Sequence, residues 1–226
     1  MCAASLQASD DKTLTVYRSR SRSGVGPDFA DKAEKELAAG DFRNAQRDIE
    51  TAIRNDPTYW PSFYTRAKIS EHDGKWALVI QDCNELLRQD STFIPAALLR
   101  SSANVQLGNY AAASKELDNL IVLQPRPYYY AEALAARAWL RATCPNASLR
   151  NPQGAINDAK KACTITQWKE ANSIDTLAVA YAASGDFNSA VKYVQQAMSA
   201  YDAGEMSKTL HEHAARFNAR RPIGPK

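Results

Sequence analysis

The sequence predicts an all-α protein made of stacked antiparallel helix-turn-helix repeats, and three observations predict it. Gly40, Gly74 and Gly108 recur at a spacing of 34 residues, each followed two positions later by an aromatic: Phe42, Trp76, Tyr110. The same spacing relates Ala33, Ala67 and Ser101, then Ala45, Val79 and Ala113, then Ala52, Leu86 and Leu120. The pattern returns near the C-terminus with the same offsets, as Ala178, Gly185, Phe187, Ala190 and Ala197. Self-similarity at such a period marks an array whose units cannot bury their apolar faces alone and must stack.

Five units follow, at about residues 26–59, 60–93, 94–127, 128–170 and 171–202. In the first, helix formers run from Phe29 to Ala39, with Asp28 as a cap and Asp31 in the first turn. Gly40-Asp41 ends that helix, and a second runs from about Phe42 until Asp56-Pro57 stops it. Asp73-Gly74 and Leu107-Gly108 repeat the turn, Gln124-Pro125 repeats the exit, and Pro61 and Pro95 start first helices, where a missing amide donor is tolerated. The fourth unit fits the columns through Ala135, Ala155 and Ala162 once eight extra residues are placed between Cys144 and Gln153, with one more near Trp168. Small residues at Ala33, Ala67, Ser101, Ala135 and Ala178 let each first helix approach its partner, and the aromatic after each turn fills the wedge between hairpins. Residues 203–226 read as a capping helix, Leu210 through Phe217, and a basic tail ending at Arg221-Pro222. Residues 1–27 read as a polar, mobile segment.

Composition narrows the function. The chain has 226 residues, of which 45% are hydrophobic and 23% charged, enough to bury a core and too apolar for disorder. A net charge of +3 is too small for a domain built mainly to grip nucleic acid. Arg18, Arg20 and Arg22 form a minor basic arm at most. No run approaches the roughly 20 apolar residues that cross a bilayer, and no secretory signal precedes the repeats, so a cytoplasmic location is expected. The alternative is an exported lipoprotein whose signal has been removed, with Cys2 as the lipidated residue.

Catalytic and metal-binding patterns are missing. His211-Glu212-His213-Ala214-Ala215 falls short of the helical zinc-protease motif, which needs a histidine at Ala215, and His211 and His213 point apart on a helix; both are expected to be solvated. Cys2, Cys83, Cys144 and Cys163 have no C-x-x-C spacing. Cys83 and Cys163 occupy packing positions, and Cys144 and Cys163 are placed beyond the ~7 Å reach of a disulfide. Asn146-Ala147-Ser148 fits the glycosylation acceptor pattern and signifies little outside a eukaryotic secretory setting. No phosphate loop or nucleophile elbow occurs, so neither enzyme activity, cofactor nor metal is expected.

The repeat resembles the tetratricopeptide repeat from about Phe29 to Asp202, most clearly at Leu177-Ala178, Tyr181, Gly185-Asp186-Phe187, Ala190 and Ala197. The first unit departs from it, with Lys32 and Glu36 where Leu and Tyr are usual, so its first helix is expected to be partly exposed. Trp139-Leu140, Ala142-Thr143-Cys144-Pro145, Arg150, Lys161-Ala162-Cys163 and Trp168-Lys169 further resemble a bacterial group of such proteins with an enlarged turn in this unit, mostly without a defined activity. The resemblance implies a right-handed superhelix whose first helices line a concave groove that binds protein. Projection of the repeat onto that groove selects Tyr64, Lys68, Glu71, Leu98, Ser102, Val105, Tyr129, Glu132, Ala136, Trp139, Asp175 and Val179. For Tyr129 and Trp139, packing between repeats is an equal alternative. The Lys/Asn/Arg clamp by which some members hold chaperone C-termini has Ala30, Glu34, Thr65, Pro95 and Leu99 in its place, so the expected partner is an extended or helical segment with apolar anchors. The rival reading is a fixed structural subunit, an assembly factor or a homo-oligomer; the oligomeric state stays open.

Overall fold

The computed structural model describes residues 25–200 and 205–224. Cys2, the three arginines of the basic arm and the end of the fifth unit at residues 201 and 202 lie outside them. Among the described residues there are eleven helices and no strand: α1 Val25–Ala38, α2 Phe42–Asn55, α3 Pro61–His72, α4 Trp76–Gln89, α5 Ile94–Gln106, α6 Tyr110–Leu123, α7 Pro127–Thr143, α8 Pro152–Ile165, α9 Ala171–Ala183, α10 Phe187–Ser199 and α11 Glu205–Asn218.

Local chemistry accounts for the boundaries. Gly40, Gly74, Gly108 and Gly185 stand at φ between +69° and +88°, the left-handed conformation that closes a helix and that glycine enters without a Cβ penalty. At two of these turns the side chain of the next residue caps the following helix: Asp41 Oδ1 accepts from Asn44 N at 3.2 Å and Asp186 Oδ1 from Ser189 N at 3.0 Å. Pro61, Pro95, Pro127 and Pro152 sit at the first helical positions. One boundary differs from expectation. α1 begins at Val25, so Asp28 is a first-turn acid facing the helix dipole and not the cap.

The enlarged fourth hairpin is built in two parts. Of its eight extra residues, three extend α7 beyond the repeat length and five enter the loop at 144–151. Asn151 N donates to Arg141 O at 2.9 Å to close the loop, and Asn146 Oδ1 accepts from Ser148 N at 3.0 Å inside it. The longer α7 carries Cys144 into the core, where it is 1% exposed. The exit after α8 uses two consecutive non-glycine left-handed residues, Gln167 at φ 54° and Trp168 at φ 59°, at the place where the repeat needs an extra residue.

The chain divides into two compact units, Met1–Leu107 and Gly108–Lys226. In the first, α1 to α5 pack in sequence around Ala33, Ala45, Ile49 and Ala52, then around Ala67, Val79, Cys83, Leu86, Phe93 and Leu99. In the second, α6 to α11 pack in sequence, with a core of Ala138, Ala155, Leu177, Ala178, Ala190, Val194, Leu210 and Phe217. The repeat columns are the core: Ala33, Ala67, Ala178, Ala45, Val79, Ala113, Ala155 and Ala190 are all fully buried. Alanine there lets antiparallel helices close in, as ridge-into-groove packing demands. Ala135 departs from its column and is half-buried.

Candidate partner-binding faces

In the N-terminal unit, the predicted residues lie on the first helices of successive hairpins. Tyr64, Lys68 and Glu71 share one face of α3, and Leu98, Ser102 and Val105 share one face of α5; all six are half-buried, while Thr65, Ala67, Ile69, Ala97, Leu99 and Ala103 beside them are enclosed. The Tyr64 ring stands edge-on to Phe93, at 5.3 Å between centroids and 82° between planes, so its body is held and its rim is left open. Lys68 Nζ donates to Glu71 Oε2 at 2.8 Å, which leaves this face close to neutral. What it offers is a tyrosine rim, two aliphatic side chains and one ion pair.

The C-terminal unit corrects part of the projection. Glu132, Ala136 and Trp139 remain half-buried on α7, but Tyr129 is 7% exposed and packs as a core residue, the second of its two expected roles. Val179 is fully buried and Asp175 is 5% exposed, so neither meets a partner directly in this arrangement. For Asp175 the reason lies outside the repeat: α11 returns along α10 and reaches α9, where its His213 meets the carboxylate. His213, expected in solvent, is 7% exposed; its Nδ1 lies 2.9 Å from both carboxylate oxygens of Asp175, and its ring is 6.0 Å from that of Trp139. His211 is exposed, as expected.

A second polar feature was not selected from the sequence. Asp48, Asp82 and Asp158 occupy one repeat column, on α2, α4 and α8, and all three are buried. Each meets a cation from the first helix of its own hairpin: Lys32 with Asp48, Arg66 with Asp82, and Arg137 and Arg141 with Asp158. Hydrogen bonds from Arg47 and then Lys32 hold the Asp48 carboxyl below the usual carboxylate range. Burial pushes Asp82 above it, although Arg66 pulls the other way. The signal was present, since Asp48 and Asp82 stand one period apart. These pairs are spent inside the array, and they point to internal specification, not to a ligand.

Among the described residues no three His, Cys, Asp or Glu side chains gather to hold a metal ion, and no helix is long and apolar enough to cross a membrane. Cys83, Cys144 and Cys163 are free thiols, and burial pushes Cys163 to about 12, far from a nucleophile's range.

Helices in antiparallel pairs, left-handed glycine turns and alanine columns together define the tetratricopeptide-repeat fold, and solved structures agree. A thermophilic tetratricopeptide-repeat protein of Thermus thermophilus superposes with a TM-score of 0.66 at 16% identity, covering 86% of this chain and 98% of that one. A tetratricopeptide repeat protein from Parabacteroides merdae gives 0.64 at 19% identity, covering 88% and 74%. A MamA protein gives 0.56 at 21% identity, covering 83% and 96%. At these identities the likeness extends to the fold. No family model matches the sequence, and neither does any curated protein.

Proposed function

We propose that the chain is a non-catalytic protein-interaction module that takes an extended or helical segment of a partner protein on the first-helix face of its N-terminal unit. The observation that carries this reading is the half-open row of Tyr64, Leu98, Ser102 and Val105 beside the enclosed Thr65, Ala67, Leu99 and Ala103. An aromatic rim beside aliphatic side chains and a neutralised ion pair suits apolar anchors with a few polar contacts. The small net charge supports protein over nucleic acid as the partner. Affinity capture with the full chain, followed by titration of the captured partner's purified segment, tests it. Leu98→Glu abolishes that binding while helicity and unfolding midpoint stay near wild type; a variant that unfolds instead makes Leu98 a core residue and rejects the groove.

A fixed structural role is the second reading, and a different observation favours it. On α6, the adjacent Val122 and Leu123 are 80% and 65% exposed, an apolar edge that a second protein surface would cover. Sedimentation separates the two: a monomer that gains a peptide supports the first, and an obligate oligomer supports the second.

A further inference from the structure

The last helix is attached differently from those it covers. In α9, Ala171, residues 173–180 and Ala182 are all buried, so the helix is enclosed nearly all round. In α11 only one stripe is enclosed: Leu210 (0% exposed), His213 (7%) and Phe217 (1%), at positions i, i+3 and i+7. His211, Glu212, Ala215 and Arg216 on its other side are exposed. An amphipathic helix laid by one stripe against a prepared face is how helices bind grooves in trans. Fourteen residues form a marginal helix on their own, so docking holds α11 in shape.

Besides α10, it covers an edge of the face that the repeat assigns to partners. Asp175, which the projection selected, is engaged by His213, whose ring also lies beside Trp139 of α7. Past α11 the chain continues over the same face. Arg216 Nη2 donates to Pro222 O at 3.0 Å, and Ile223 packs on the core. Gly224, at φ +99°, comes so close to α7 that a Cβ there would fall 2.8 Å from Thr143 O. The array's own C-terminus thus sits where the groove reading places a ligand.

We infer that α11 is an intramolecular ligand of the face formed by α9 and α10 with Trp139 of α7 at its edge, and that this face accepts in its place a partner helix of the same design. This rests on the reading of first-helix faces as protein-binding surfaces and extends it to the C-terminal unit. The partner helix carries large apolar side chains seven residues apart, matching Leu210 and Phe217, and between them a hydrogen-bond donor matching His213. Asp175 sets the specificity, because a competing helix with an apolar residue there strands a buried carboxylate.

Two measurements on the full-length chain test the inference. In hydrogen exchange of the wild type, α11 amides exchange at least about ten-fold faster than those of α9 and α10, as a separately opening segment does. Exchange of all three as one unit overturns it. In the second measurement, a fluorescent peptide of sequence 205–224 is titrated into the wild type and into Leu210→Ala/Phe217→Ala. The variant binds it saturably and at least about ten-fold more tightly than the wild type, whose face is already filled. The His213→Ala peptide binds about ten-fold more weakly, by loss of a hydrogen bond to a charged partner. A folded variant that ignores the peptide, or one that unfolds throughout, makes α11 a plain core element and overturns the inference. A wild-type dimer that the peptide dissolves assigns the occupant to a second copy's α11 and overturns the intramolecular assignment. Peptide binding is insensitive to Leu98→Glu in the other unit, so the two readings fail separately.

Discussion

Arg137 of α7 forks onto Asp158 of α8, with Nε to Oδ2 and Nη2 to Oδ1 both at 2.8 Å, and its remaining nitrogen reaches Asp118 of α6 at 2.7 Å. One side chain therefore ties three consecutive helices of the C-terminal unit. Although burial opposes its charge, hydrogen bonds to Asp158 and Asp118 raise the guanidinium above its ordinary value. The arrangement replaces the simpler pair of the earlier hairpins, Arg66 with Asp82, and it does so in the hairpin whose first helix is lengthened.

Asp158→Ala is expected to destabilise the protein by about 3 kcal/mol, because it leaves Arg137 and Arg141 facing a cavity with only the more exposed Asp118 to pair with. Urea unfolding checks this. Asp158→Asn recovers part of the loss by keeping a hydrogen-bond acceptor, whereas equal stability of all three chains shows that the fork contributes nothing.

The acids of α4 titrate in opposite directions. Burial raises Asp82 in the folded state, so the folded chain binds the proton more tightly than the unfolded one. That contribution is fully present below the unfolded aspartate value of about 3.9 and is lost as pH rises through the folded value. Relative to Asp82→Asn, the wild type accordingly loses melting temperature as pH rises from 4 toward neutral; a flat or rising difference contradicts the assignment. Hydrogen bonds from Arg88 and then Gln89 lower Glu85 to about 2, so its smaller contribution is present above the usual glutamate range and disappears as pH falls through that value. Carboxylate NMR reads the two midpoints on either side of the ordinary ones.

Cys163 is fully buried, and its thiol is pushed up to about 12 by desolvation. At pH 8 it is a neutral thiol out of reach of reagent, as Cys83 and Cys144 are out of reach through burial. Iodoacetamide followed by peptide mass mapping is expected to leave all three unmodified in the native protein and to alkylate them in urea. Fast native labelling of Cys163 places α8 outside the core.

Gly185 stands at φ +88° with open space where a Cβ would be. Its replacement is therefore a conformational cost without a clash: Gly185→Ala loses about 1–2 kcal/mol and Gly185→Asn less, since asparagine tolerates the left-handed region. Urea midpoints of the two variants test the ranking. Equal stability of wild type and Gly185→Ala means that the turn relaxes.

The 34-residue period determined how much of this protein is helix, where each hairpin turns and which small residues are enclosed, because these depend on contacts within a hairpin or to its neighbour. Ala33, Val79, Ala113 and Ala190 are buried for that reason. The same period carried the aspartate column at Asp48 and Asp82, legible in the spacing although charge alone suggests a solvated face. The fate of the projected groove was decided elsewhere. Tyr64 and Leu98 keep an open edge, Val179 is enclosed, and Asp175 loses its edge to His213 on a helix some forty residues further on that belongs to no repeat. Periodicity describes what a residue shares with its counterparts in other units. Only the folded chain decides which surface a non-repeating segment comes back to cover, since that depends on long-range burial of Leu210 and Phe217 and on one hydrogen bond from His213.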